Sequence, residues 1–533
     1  LQFGVIVDRM QDNQIQILDT NGAFAFSSLP DFLTNKPRNF AGLVPVPVPD
    51  FGTRETRFGV YAQDGVHLRK NLTLDAGLRY EMVTVPTEAH NRIANLTSLT
   101  AAQPRLGSPY FKNSTLRNFE PRLGLAWNPG AAPNTMVRGG FGVFDVLPLP
   151  YEFTLFTPYA TPFSQQLFVD TLPSGSFPAA GYRLASAAAG ARSIYIENDP
   201  KRNYVMEWNL GVTQQFSPDL AVTAGYTGSR GVHQPYKMDN LDMVLPALTP
   251  EGYLFPPVAT SQRLNPAFGR ISGLLWQANS FYNALQVSAT RRLARGVALH
   301  VAYTWSKSMD TLSNTVAGTA YPNGLVNPLF FDQRTTRALS DFNVGQNFIA
   351  NFTWHLPIPR RASTFADQVL EGWQLGGVYR ASSGQPFTPT LGGDPAGTKL
   401  DQTAELPSRL GGPGCGSLAN SGNPNHYIKT QCLGFPVPAS LWGNLGRNSV
   451  TGPGVSNLDF SVIKNTPIRT FSEQLNLQFR AEFFNIFNRA SFDSPTDNLA
   501  VFDPKGNPIA SAGLITATQT PSREIQFALK LIW

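Results

Sequence analysis

From Glu524 to Trp533 the chain alternates without a break: Ile525, Phe527, Leu529, Leu531 and Trp533 on one side, Glu524, Gln526, Ala528 and Lys530 on the other. A period of two puts these sets on opposite faces of a β-strand. In water the apolar face needs a second apolar layer; in a bilayer it faces lipid while the other face meets water or polar groups. About ten residues is also what a tilted strand needs to cross a membrane. A single segment of this kind fits a half-buried soluble strand, but the pattern recurs. Leu72, Leu74, Ala76, Leu78 and Tyr80 alternate with Thr73, Asp75, Gly77 and Arg79. Trp208, Leu210 and Val212 oppose Asn209, Gly211 and Thr213, and Leu475, Leu477, Phe479, Ala481 and Phe483 oppose Asn476, Gln478, Arg480 and Glu482.

A chain of 533 residues holds several soluble domains or one large barrel. With 42% hydrophobic and only 15% charged residues it is neither disordered nor rich in helix-forming residues. No apolar run is long enough for a membrane helix, which says nothing against strands, because alternation leaves no such run. The net charge of +6 is spread without basic blocks, so no nucleic-acid surface is expected. The chain opens strand-like at Leu1, with neither an initiating Met nor a signal peptide, and is expected to be a piece of something longer.

Alternating segments come in pairs joined by short turns near residues 69, 131, 217, 295 and 468, with an intermediate connection near 365. Between pairs lie long polar segments, roughly 84–116, 147–203, 231–280, 310–341, 383–455 and 486–521. Short turns on one side and long loops on the other mark an outer-membrane barrel; a propeller or sandwich does not sort its loops this way. Val44 to Pro49 alternates valine and proline and is excluded from any interior strand, since proline lacks the ladder donor. Counting Leu1–Val7, Phe24–Phe26, the six pairs and the last strand gives about fifteen strands. Both end strands are then expected to descend to the periplasm. Candidate segments at Gln166–Val169 and Ile194–Ile196 would add a further hairpin. An odd count cannot close as an antiparallel barrel, so the expectation is an all-β, partial transmembrane antiparallel β-barrel, the C-terminal part of a 22-stranded, plugged class. Trp127, Tyr226, Trp305, Trp354, Trp373, Tyr379 and Trp533 fall near strand ends, where an interfacial girdle belongs.

Several local sequences resemble TonB-dependent receptors: Tyr61-Ala62-Gln63-Asp64 with Asn71 to Glu81 is similar to a recurrent hairpin of that family. Tyr303 to Ser308, Gly372 to Leu375, Ser383 to Phe387, Gly443 to Asn448 and Phe479 to Asn488 resemble its Oar-like subgroup. The resemblance implies a bacterial outer-membrane transporter or receptor, energised through TonB, that takes up or binds a large extracellular solute such as a glycan, peptide or metal chelate. It also implies that residues 1–533 are one C-terminal barrel portion without the plug and regulatory-like domain, so that the TonB complex would be reached only through the missing plug. Other partners on this reading are outer-membrane lipid and the barrel-assembly machinery, met by the terminal strand with Phe527, Leu529, Leu531 and Trp533.

Enzyme chemistry is not expected. None of His67, His90, His233, His300, His355 and His426 has metal-ligand spacing, no nucleophile elbow is present, and no catalytic residue, metal or cofactor is assigned. Asp341 and Glu482 each lie among polar residues rather than beside a second acid. Arg79, Arg292, His300, Arg480 and Glu482 fall on wet faces and are candidate lumen-lining residues; arginine at the lipid midplane would cost roughly 2–4 kcal/mol. Tyr253, Trp276, Tyr321, Tyr427 and Trp442 fall in long loops, where rings either stack on a flat solute or pack their own loops. Cys415 and Cys432, in a Gly/Pro/Asn-rich loop, form one disulfide or remain two thiols. The surviving function classes are solute transporter, adhesive or structural surface protein, and passive pore.

Overall fold

The computed structural model describes residues 1–533 apart from 16–18, 44–49, 131, 133, 170–171, 189–190, 318–320, 326–328, 358–368, 401–404 and 469–474. The valine–proline run at 44–49 and most of the connections near 365 and 468 therefore lie outside the described residues. The main sheet has 17 strands, three of them short attachments at Thr87–Glu88, Arg192–Ile196 and Ala338–Leu339. The remaining fourteen form one antiparallel meander: β1 (Gln2–Gln14), β2 (Phe51–Arg69), β3 (Leu72–Val83), β4 (Phe119–Trp127), β5 (Thr135–Asp145), β6 (Tyr204–Ser217) and β7 (Leu220–Met238), then β8 (Arg270–Ala294), β9 (Val297–Asp310), β10 (Gln346–His355), β11 (Trp373–Ser382), β12 (Val455–Pro467), β13 (Asn476–Phe484) and β14 (Glu524–Ile532). Each pairs with its neighbours in sequence. Among the described residues β1 bonds only to β2 and β14 only to β13, so the sheet is open.

Register carries the alternation across strands. Val5, Val60, Tyr80 and Phe119 are successive partners, as are Leu210, Tyr226, Leu285 and Trp305, and Val462, Ala481 and Phe527. One face of the whole sheet is thereby apolar, and nothing among the described residues covers it: Phe3 is 78% exposed, Phe527 67% and Leu529 69%. An apolar surface of this extent is stable only against lipid. Its height agrees. Val297 of β9 pairs with Trp354 and Trp305 lies eight residues further up the same strand; at about 3.3 Å per residue and a tilt of about 40° the two ring levels are roughly 20 Å apart, close to the ~25 Å apolar band of such barrels. Trp127, Trp354, Trp373 and Trp533 stand at the short-turn end, and Tyr226, Trp305 and Tyr379 towards the long-loop end. The tight turn between β8 and β9 has Arg295 at φ 50° and Gly296 at φ 79°, the two left-handed residues a two-residue hairpin needs. A Cβ at Gly296 would meet the His355 carbonyl oxygen at 2.7 Å.

Three expectations change. Ala23–Ala25, counted as the second strand, lies in a separate small sheet with Asn39–Leu43 and Gln166–Val169. Gln166–Val169 is thus no barrel strand, and Arg192–Ile196 lies parallel to the top of β8 rather than forming a hairpin. The long strands number fourteen, an even count, and β1 starts at the short-turn side and rises, so the first strand does not descend. The third change is length: β7 and β8 continue well beyond the membrane band, and Arg270 to Trp276 are buried throughout. A strand covered on both sides has no period of two to read.

The cores are in the loops, not in the wall. One cluster joins Met243, Phe255, Leu329, Phe387, Tyr427, Trp442 and Val501, drawn from four long loops. Another packs Tyr110, Phe111, Phe153 and Phe156 against Leu274 and Trp276 of β8. The loops therefore form a packed layer at one end of the sheet.

Candidate functional site: polar face and loop layer

Side chains that alternate with the apolar row project from the opposite face. On β1 to β4 they form a ladder of charges. Arg57 bonds Asp8 and lies 3.7 Å from Glu81; Arg79 reaches Glu81 at 2.7 Å and Glu120 at 4.0 Å; Arg122 reaches Glu120 at 2.9 Å. Each bridge crosses between neighbouring strands or spans two residues on one, which are the distances same-face positions allow. Arg79, proposed from sequence, is thus one member of a row. Arg57, Glu81, Glu120 and Arg122, not among the sequence candidates, follow the same alternation. His300 lies on the same polar face, its Nδ1 3.0 Å from Thr290 Oγ1, and Arg292 falls in the stretch where the β8–β9 register shifts. Arg480 donates to Gln478 Oε1 at 2.5 Å, and Glu482 is opposite Ser461 and Gln526.

The loop layer is tied to the wall by a buried cation. Arg447, 1% exposed, bonds Asp310 at the end of β9 and donates to Asp341 Oδ1 at 2.6 Å and to the Thr336 carbonyl at 3.1 Å. Asn448 adds a bond to Asp341 Oδ1 at 2.7 Å. Asp341, expected among polar wall residues away from a second acid, instead faces Asp310 across this guanidinium within the loop layer. Its burial raises its carboxyl above the ordinary range, against the lowering pull of Arg447. Arg447 and Asn448 belong to a motif noticed in sequence, but nothing in the sequence names partners more than a hundred residues away.

Of the five loop rings, Trp276 is in β8 and 2% exposed, and Tyr427 and Trp442 are buried in the largest loop core. These three pack their surroundings and present no face to a solute. Tyr253 donates its hydroxyl to Asp332 at 2.8 Å; the hydrogen bond from Arg334, then that from Tyr253, hold this carboxylate down at about 2. Tyr321 stands 5.4 Å from Phe342. Cys415 and Cys432 are joined in a disulfide with Cα atoms 5.5 Å apart, which staples the loop between β11 and β12. Phe527, Leu529 and Leu531 of β14 are exposed on the apolar face, with Trp533 just beyond.

An antiparallel meander with one uncovered apolar face, rings at two levels and loops sorted by side is a membrane-spanning β-barrel wall. The chain belongs to the outer membrane beta barrel domain family, matched over residues 1–526, and its place is the bacterial outer membrane. No curated protein sequence matches it. Among solved structures it is similar to the ferripyoverdine receptor of the outer membrane of Pseudomonas aeruginosa, at 9% identity and TM-score 0.42, covering 99% of this chain and 53% of that one. It is also similar to the outer membrane transporter YddB from Escherichia coli, at 11% and 0.40, covering 93% and 53%. BauA, the ferric preacinetobactin receptor from Acinetobacter baumannii, matches at 11% and 0.41, covering 95% and 49%. The chain spans about half the length of these structures.

Proposed function

We propose that the chain is the C-terminal part of a TonB-dependent outer-membrane transporter that takes up a large solute. The observation that supports this best is the open fourteen-stranded sheet. Bare strand edges are not stable in lipid, so β1 and β14 must be joined to each other or to further strands. The recurrent hairpin and Oar-like motifs favour further strands, a 22-stranded wall and a plug in the lumen, with the charged row from Asp8 to Arg122 as the surface a plug would meet. Arg292, His300, Arg480 and Glu482 continue that lining on this reading, which assigns solute contact in the loops to Tyr253 and Tyr321.

The even strand count supports a second reading, in which β1 pairs with β14 and the chain is a passive pore. The full-length protein decides between them. Cells carrying it are given iron-loaded chelates and labelled oligosaccharides with and without a protonophore, and the purified protein is placed in liposomes with small sugars. Uptake of at least one probe that stops with the protonophore, and liposomes that do not swell, support the transporter. Swelling in small sugars, or uptake indifferent to the protonophore, refutes it.

A further inference from the structure

On the lipid-facing side, above the upper rings, the wall carries a basic pocket. Arg230, Phe281 and Met309 are register partners on β7, β8 and β9, two rows above Tyr226, Leu285 and Trp305. The four residues from Tyr226 to Arg230 rise about 10 Å along the membrane normal, which lifts Arg230 out of the hydrocarbon and into the headgroup layer. Leu339, from the short attached strand, extends the row beyond Met309 and brings Arg337 over it. The resulting cavity, about 280 Å³, is lined by Arg230, Arg334 and Arg337 together with Phe281, Gln333 and Asp310.

The two arginines share one ring. The Arg230 guanidinium lies 4.9 Å from the Phe281 centroid and that of Arg337 5.4 Å, which keeps the two charges within about 10 Å, no more than a screening length. Among the described residues neither is in an ion pair, whereas Arg334 is held by Asp332 at 2.9 Å and the lining Asp310 is taken by Arg447. Lys307, exposed in the row between Trp305 and Met309, adds a fourth cation on the same side. Like charges gathered beside an apolar ring at headgroup height call for an anion that arrives from the membrane. Guanidinium forks suit phosphate, and Phe281 and Met309 below them suit an acyl chain.

We propose that this pocket binds the phosphate group of a phosphorylated glycolipid in the outer leaflet, with Arg230 and Arg337 as the phosphate ligands and Phe281 holding both in place. The site is on the outside of the wall, so it stands or falls independently of what passes through the lumen.

The test is native mass spectrometry of the detergent-purified protein with bis-phosphorylated lipid A and with the same lipid stripped of phosphate. Wild type is expected to hold the phosphorylated form about tenfold or more tightly over the stripped one, and Arg230→Ala with Arg337→Ala to lose that preference while keeping its heat-modifiable gel mobility. If the double variant fails to fold, the single exposed change Arg337→Gln carries the test, with a several-fold loss expected. Equal binding of the two lipids by wild type, or a preference that survives in a folded variant, overturns the proposal. Complete displacement of the lipid by millimolar inorganic phosphate would assign the pocket to a free anion and overturns the lipid assignment as well.

Discussion

Replacing Arg447 by alanine removes the one side chain that bonds Asp310, Asp341 and the Thr336 carbonyl together. Asp310 and Asp341 are 4% and 1% exposed, so both carboxylates stay buried when their cation is gone. Breaking a buried pair from one side costs about 3–5 kcal/mol. Asp341 keeps its bond from Asn448 at 2.7 Å, which places the cost at the lower end, about 3 kcal/mol. That raises the equilibrium for loop opening by roughly two orders of magnitude. The effect carries a pH signature. Burial already raises the Asp341 carboxyl, and Arg447 is what pulls it down. Without Arg447 the raising influences of burial and of the facing Asp310 remain, opposed by the Asn448 bond, so protonation relieves the variant and its loops tighten as pH falls. Hydrogen exchange in detergent, corrected for intrinsic rates, is compared at about pH 7.5 and about pH 5. Peptides from 311–345 and 440–451 are expected to exchange about a hundredfold faster in Arg447→Ala at the higher pH and to recover in part at the lower. Peptides of β12 to β14 are expected to be unchanged. Unaltered protection of the loops, or an equal loss throughout the wall, would refute the reasoning.

Glu152, in the short helix Pro150–Thr154 of the loop between β5 and β6, is 4% exposed, and burial raises its carboxyl from the ordinary 4.5 to about 7. The protonated form is the one the fold favours, so its contribution of roughly 3 kcal/mol is complete below about pH 4.5 and is lost as pH rises through 7. Exchange of the 150–160 segment should speed up over that range in wild type and speed up less in Glu152→Gln, where the neighbouring buried Glu55 remains; a level wild-type profile counts against it. Phe527→Arg, on the uncovered face beside Ala481 and Val462, should cost roughly 2–4 kcal/mol and reduce the folded band in outer-membrane fractions, whereas Gln526→Arg on the polar face should be tolerated. Equal yields of the two variants would be evidence that the faces are misassigned. Cys415→Ser opens a closure of 17 residues, worth roughly 3 kcal/mol in chain entropy, and should expose the loop between β11 and β12 to protease without disturbing the wall. A thiol label that reacts with undenatured wild type would show the bond to be absent.

How much was legible follows from which solvent each segment meets. Where lipid lies on one side and polar groups on the other, hydrophobicity alternates, and β3, β6, β9, β13 and β14 could be drawn from sequence with their faces correct. The same rule located Arg79 and would have located Glu81 and Glu120. It failed at Phe24 and Phe26, where a three-residue strand belonging to a loop sheet mimics the start of a wall strand; two alternating rings are too few to fix a neighbour. It failed again at Trp276, because a strand clothed on both faces by loops is apolar at every position and reads as loop or core alike. The Arg447 centre could not be read at all. Its partners all lie at the end of β9 and in the connection that follows it, more than a hundred residues before Arg447, and a lone buried arginine looks in sequence like any surface one.

The loops and the wall are consequently two folding problems in one chain. A wall strand gains nothing from burying Leu529 or Phe527 against protein, since hydrocarbon receives them, and its stability rests on ladder hydrogen bonds and on the register that keeps every apolar row aligned. The loops stand in water and must bury a core of their own; they do so with Phe255 from one loop and Phe387, Trp442 and Leu445 from another, whose many Gly, Pro and Asn residues would otherwise suggest disorder. Long loops are expensive to order in proportion to their length, and the devices that offset this are all found there: the disulfide, the Arg447 centre, and clusters that draw on several loops at once. Among the described residues the loops are therefore held by their own packed core, and the wall by its ladders.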